Sequence, residues 1–367
     1  MDALFALLRL GLGTEKASND NIALFCQLTE SNWLSLKETA EKQCVSAIVL
    51  DGINELISKG DDTFHKGVSK DRWKTFQLQW TGEMLLIEQA NLHQIAVMKQ
   101  MANIWLAAGL KVMLMKGQAN GILYPKPLHR SPGDIDCYLF DGYEKGNETA
   151  RQNGAKLDES WYKHSVIRYQ EETFENHRFF AHTREGRKSK RLQRELEETL
   201  KINEWDLFPK SNIRLPHAQW NAMFLTYHAC AHFLTEGLRL KQVLDWAMFL
   251  QKEQGNVDWE RFYAFCDQYH LRRFAVAITA ICVNQLGIQI TNPTITTESP
   301  YGDKILYSAL YDDDYIYSTG EPRWIGRLHL VKSLFKYRWK YEEIYQECIF
   351  KQLWWYASGY LFHTEKQ

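Results

Sequence analysis

The chain has 367 residues, enough for two or three domains. It is 45% hydrophobic and 24% charged, the balance of an ordinary globular protein, and disorder, collagen-like repeats and coiled coils are excluded on composition. A net charge of −1 supplies no field that would draw nucleic acid or an anionic membrane.

Residues 1–108 read as a helical region. "NWLSLKETAEKQCVSAIVLDGINELI" and the longer "DRWKTFQLQWTGEMLLIEQANLHQIAVMKQMANIWLAAG" carry apolar residues at helical spacing, with no proline in the long run. Gly109 ends that run in the manner of a helix C-cap. The N-terminal "MDALFALLRLGLG" lacks a basic leader, and Asp2 and Arg9 argue against a signal peptide.

From 109 to 182 the pattern turns to a small mixed α/β unit. "LKVMLMKG" is a short apolar strand, "DIDCYLF" a second, and "NETARQNGAK" is helix-like. "KHSVIRYQ" and "TFENHRFFA" read as a hairpin with its turn in "QEET". From 183 to 367 helices return, beginning with "TREGRKSKRLQRELEETL" and broken at "TNPTITTESPYGD". The expected class is α+β: a small mixed sheet flanked by N- and C-terminal helical regions.

The chemistry concentrates between Met113 and Phe140. Side chains alternate in a strand, so Asp134 and Asp136 share one face while Ile135, Cys137 and Leu139 anchor the other. Two carboxylates so close repel unless a cation lies between them, and Mg²⁺ binds through one or two carboxylates plus phosphate oxygens. Glu175 and His177 share a face of the hairpin strand, and Glu175 becomes a third carboxylate if the two strands are neighbours. Lys116 is a point charge suited to phosphate, Gly117 lets the backbone approach it, and Arg130 is a further phosphate contact. Singly, a DxD or a Lys-Gly is ordinary surface. In the order strand, glycine, helix, arginine, acidic strand, acidic hairpin, they point to a metal-dependent phosphate site.

"LMKGQANGILYPKPLHRSPGDIDCYLF" resembles the signature of the uncharacterised nucleotidyltransferase family of the polymerase-β-like superfamily. "FENH" resembles its acidic-x-His element, and "YHACAHFLTEGLRLKQVLDWAMFL" its helical tail. The resemblance implies a nucleotidyltransferase core that moves a nucleoside monophosphate from an NTP to a small-molecule or protein acceptor and releases pyrophosphate. It implies Mg²⁺, two ions, held by Asp134, Asp136 and Glu175, with Glu175 as ligand or base and Lys116 and Gly117 at the triphosphate. The superfamily usually carries Gly-Ser at the helix start, where this chain has Gly117-Gln118. A regulatory module that keeps the fold without the chemistry is the alternative.

Other features read more plainly. His228 and His232 are four apart on a helix, and a packed or substrate-facing pair fits better than zinc, because no HExxH glutamate accompanies them. Lys241 and Asp245 read as a surface i,i+4 ion pair. The basic run Arg184, Arg187, Lys188, Lys190, Arg191 and Arg194 reads as a solvated face paired with Glu195, Glu197 and Glu198. "YDDDYIYS" reads as a solvated loop, and "LWWYASGYLF" is too short to span a bilayer that needs ~20 residues. Seven scattered cysteines without a CxxC point to buried, reduced thiols and a cytoplasmic protein.

Overall fold

The computed structural model describes residues 1–59, 63–183, 186–201, 204–312, 332 and 335–351. Five helices come first: α1 (Asp2–Leu12), α2 (Asn19–Phe25), α3 (Glu30–Lys42), α4 (Ser46–Ser58) and the long α5 (Lys70–Ala107). Ser18 and Thr29 cap α2 and α3 through capping boxes with Asn21 and Asn32. Helices α1 and α4 touch backbone to backbone: a Cβ on Gly52 would sit 2.1 Å from the Leu7 carbonyl oxygen. Gly109 has φ +76°, the left-handed geometry that ends α5.

A five-stranded sheet follows: β1 (Met113–Leu114), β2 (Ile135–Tyr138), β3 (Lys156–Asp158), β4 (His164–Tyr169) and β5 (Glu172–His177), in the order β1-β2-β5-β4-β3. Only β2 and β5 run parallel. The one-turn helix α6 (Gln118–Gly121) follows β1, and α7 (Tyr143–Gln152) follows β2. The α+β class holds, with helices on both sides of a small mixed sheet. Strand β3 was not anticipated; three residues with one half-buried apolar position leave little alternation to read.

Ile135, Cys137, Ile167 and Phe174 pack under the sheet against Val97, Met98, Met101 and Trp105 of α5. The opposite face carries the polar side chains of β2 and β5. Beyond it lie α8 (Arg187–Thr199), α9 (Ala218–Thr235), α10 (Leu240–Glu253), α11 (Trp259–Gln268), α12 (Arg272–Leu286) and α13 (Gly302–Tyr311). These helices share a second, larger core with α1 to α4, which contains Trp33, Trp80, Trp220 and Trp246. Among the described residues, no helix is long and apolar enough to cross a membrane.

Candidate active site

Strand β2 ends its approach at Asp134, which is exposed, and carries Asp136, which is 1% exposed. Register sets Asp136 directly beside Glu175 on β5, and His164 on β4 directly beside His177. Four side chains of three adjacent strands therefore meet on the face away from α5.

The contacts are short. Asp136 Oδ2 lies 2.7 Å from Lys116 Nζ, and Asp136 Oδ1 lies 3.0 Å from His177 Nε2. Glu175 Oε2 is 3.3 Å from the same His177 nitrogen, and Glu175 Oε1 is 3.5 Å from His164 Nε2. The Met115 amide donates to the Asp136 carbonyl, which fixes Lys116 next to the acid. Gly117 then has φ +66° and ψ −112°, a backbone that residues with a Cβ resist.

The electrostatics follow from burial and neighbours. Burial pushes Asp136 up, but Lys116 and the His177 hydrogen bond outweigh it and hold the carboxyl well below its ordinary range. Burial pushes Asp134 up, and the neighbouring Glu175 and Asp136 add to the rise. Burial pulls His177 down, yet its bonds to Asp136 and Glu175 raise it overall. Its Nδ1 also faces the Phe179 carbonyl at 3.3 Å, so both ring nitrogens meet acceptors, as an imidazolium requires. Lys116 is lowered by burial but raised further by Asp136, and stays charged. His164 is pulled down to about 4, mainly by burial, and is neutral near pH 7.

The loop around the cluster hangs on α5. Asn91 Nδ2 donates to the Leu128 and Arg130 carbonyls, and Gln94 Nε2 donates to the Gly133 carbonyl and to Glu172. The loop before Asp134 is thus tied down at three points. Gln118 Nε2 donates to Asn91 and Gln94 at 2.6 and 2.9 Å. The residue after Gly117 points into this scaffold, and α6 is only one turn long.

Arg130 does not join the carboxylates. It is 6% exposed and forms a fork with Asp245, Nε to Oδ1 at 2.7 Å and Nη2 to Oδ2 at 2.8 Å. Tyr124 adds a 2.8 Å hydrogen bond to Asp245 Oδ1. The expected Lys241–Asp245 surface pair is also corrected: Asp245 is buried and taken by Arg130, while Lys241 Nζ donates to the Pro132 carbonyl. Burial, and then Arg130, pull Lys241 down to about 7. Helix α10 therefore holds the loop that leads into Asp134.

His228 and His232 face each other, Nε2 to Nε2 at 3.0 Å, and His232 Nδ1 reaches Glu236 at 2.8 Å. His228 stacks on Phe224, a packed pair as expected. In the basic run, Lys188 pairs with Glu347 rather than with acids of its own helix, while Glu195 accepts from Tyr269 and Gln268. Arg184, most of "YDDDYIYS" and the whole of "LWWYASGYLF" lie outside the described residues.

Sequence reasoning missed His164. Ending the strands at Gln170 and Thr173 would set His164 opposite Phe179. The turn instead uses Gln170 and Glu171, both at positive φ, and pairs Tyr169 with Glu172. Neither residue is glycine or asparagine, so the usual signal of a two-residue turn was absent. Asp245 was missed as the Arg130 partner because the two are 115 residues apart.

Against known protein families, residues 29–287 match the model described as "Uncharacterised nucleotidyltransferase". Comparison with curated proteins gives no match, and comparison with solved structures gives none. The family match spans most of the chain, so this protein belongs to the uncharacterised nucleotidyltransferase family.

Proposed function

We propose that this member of the uncharacterised nucleotidyltransferase family transfers a nucleoside monophosphate from an NTP to a small-molecule or protein acceptor. The observation that carries the reading is the adjacency of Asp136 and Glu175 on parallel strands, with Asp134 beside them. Asp134, Asp136 and Glu175 bring three carboxylates to one face, which is the oxygen donor chemistry that suits Mg²⁺. Asp134, Asp136 and Glu175 would hold two such ions, which when bound neutralise the triphosphate and the leaving oxygen.

The chain's own groups have definable tasks. Lys116 keeps its charge and lies against Asp136, so it suits a phosphate oxygen. Gly117 turns the backbone sharply right after it. His177 holds Asp136 and Glu175 in register from the third side. In the transfer, an acceptor oxygen or nitrogen bonds to the α-phosphorus, the bond to the bridging α,β-oxygen breaks, and pyrophosphate leaves. The acceptor's proton passes to a carboxylate of the cluster, Glu175 being the proposed base, and then to water. The cysteines are free, which supports a reducing, cytoplasmic setting.

One observation favours the alternative, a nucleotide- or partner-binding module without turnover. Both oxygens of Asp136 already face internal cations, Lys116 and His177. The test is to incubate the protein with each of the four NTPs, Mg²⁺ and a panel of acceptors, and to assay pyrophosphate. Pyrophosphate from wild type and none from Asp136→Asn is the expected result. ADP in place of pyrophosphate would indicate a phosphotransferase, and nucleotide binding with no product at all would indicate the module.

A further inference from the structure

Glu175 does not only neighbour acids. On its other side it meets His164, and the pair His164 and His177 sits at a matched register position of the β4–β5 hairpin. The two rings have centroids 5.1 Å apart. One donor atom from each of His164, Glu175 and His177 falls within a sphere where all lie within 4.8 Å of one another. The nearest separations are 3.3 Å, His177 Nε2 to Glu175 Oε2, and 3.5 Å, His164 Nε2 to Glu175 Oε1.

The two imidazole-to-carboxylate separations match those between neighbouring ligands of one metal, and small side-chain rotations would close the rest of the set. Bonds of about 2.1 Å to imidazole nitrogen and carboxylate oxygen keep neighbouring ligands roughly 3.0 Å apart at right angles and roughly 3.4 Å apart at the tetrahedral angle. Asp136 Oδ1, 3.0 Å from His177 Nε2, stands where a fourth ligand would. The outer partner of His177 also fits. Its Nδ1 faces the Phe179 carbonyl, so a metal that replaces the Nε2 proton would find the ring already oriented.

His164 supplies an independent sign. Among the described residues its only polar side-chain partner is Glu175, at 3.5 Å, and its Nδ1 is buried with no hydrogen-bond partner. The fold brings a half-buried imidazole to this face and uses it for little else.

We propose that His164, Glu175 and His177 form a binding site for a first-row transition dication such as Zn²⁺, Co²⁺ or Mn²⁺. Its donor chemistry differs from that of the Mg²⁺ cluster with which it shares Glu175. Two imidazoles favour borderline metals, whereas Mg²⁺ takes oxygen ligands and keeps much of its water. The site needs neither nucleotide nor the transfer reaction.

The test uses the full-length protein, stripped with a chelator and titrated with Co²⁺ without any NTP. Calorimetry should show Co²⁺ binding in wild type, and ligand-field absorption should report one nitrogen-ligated site. His164→Gln and His177→Gln should weaken that nitrogen-ligated Co²⁺ at least tenfold. Tenfold more Mg²⁺ should not displace the Co²⁺. Unchanged affinity in a folded His164→Gln variant, or Mg²⁺ that competes as an equal, would overturn the assignment. Should the histidine variants fail to fold, pulsed EPR of Mn²⁺-loaded wild type decides: nitrogen couplings from imidazole support the site, and their absence rejects it. Nitrogen-ligated Co²⁺ in a protein that releases no pyrophosphate would keep this site and reject the transfer reaction; the reverse result would do the opposite.

Discussion

Two buried aspartates in this molecule are neutralised in opposite ways. Asp245 meets the guanidinium of Arg130 in a two-pronged fork and also accepts from Tyr124. Acid and base match one to one, the planar fork fills both oxygens, and every partner is buried. Asp136 instead meets a lysine on one oxygen and a histidine on the other, and two further carboxylates lie close by. Its cations are a lysine ammonium and a titratable ring, which the proposed function would have a metal replace and a phosphate draw away. The first arrangement is a lock between α10 and the loop leading to Asp134. The second is a site with more acid than fixed base, which leaves it open to an incoming cation.

The comparison predicts that equivalent substitutions fail differently. Asp136→Asn should cut pyrophosphate release at least a hundredfold, as loss of a central charge-stabilising group does, and should cost less stability than Asp245→Asn, because Glu175 remains as a second counter-ion to Lys116 and His177. Asp245→Asn should do the reverse and lower stability by about 3–5 kcal/mol, because Arg130 is left buried without its counter-ion. Denaturant unfolding of both variants checks the contrast. Equal stability losses would erase the distinction between lock and site.

Gln118→Ser sharpens the same contrast at the scaffold. It restores the serine usual in the wider superfamily, yet the Gln118 side chain points at Asn91 and Gln94 on α5. The expected result is a loss of about 1–3 kcal/mol from unpaired amide groups and no gain in turnover. A gain in turnover would mean that this position does face the triphosphate.

The most gradual effect concerns pH. His182 is pulled down to about 3, chiefly by burial and then by the charge of Lys163. Its folded value lies below its ordinary one, so between about pH 3 and pH 6.5 the unfolded chain binds the extra proton. Stability should therefore be intact above pH 6.5 and fall as pH drops through that window, by on the order of 1 kcal/mol per pH unit at most. His182→Gln should flatten the fall in urea titrations run from pH 7 to pH 4.

The same two clusters show what a sequence can disclose. Asp134, Asp136 and Glu175 were legible because strand alternation is a local rule and the order of short motifs adds context. Their meeting in space depends on β2 pairing with β5 in parallel, which the sequence left as a condition. Arg130 was legible as a residue of interest but not as a lock, since its partner lies 115 residues on and carries no local mark. His164 turned on where the hairpin turns: moving the turn to Gln170–Glu171 shifts its partner by two residues, from Phe179 to His177. Lys241 and Asp245 looked like a surface pair because helical spacing says nothing of what lies against the helix.

On the proposed reading Asp136 belongs to an exchangeable cation site and Asp245 does not. Calorimetric NTP binding with and without Mg²⁺ tests it most directly, in wild type, Asp136→Asn and Asp245→Asn under conditions where all three are folded. Mg²⁺ should tighten NTP binding in wild type and in Asp245→Asn, and have no effect in Asp136→Asn. Mg²⁺-dependent binding that survives in Asp136→Asn would contradict it.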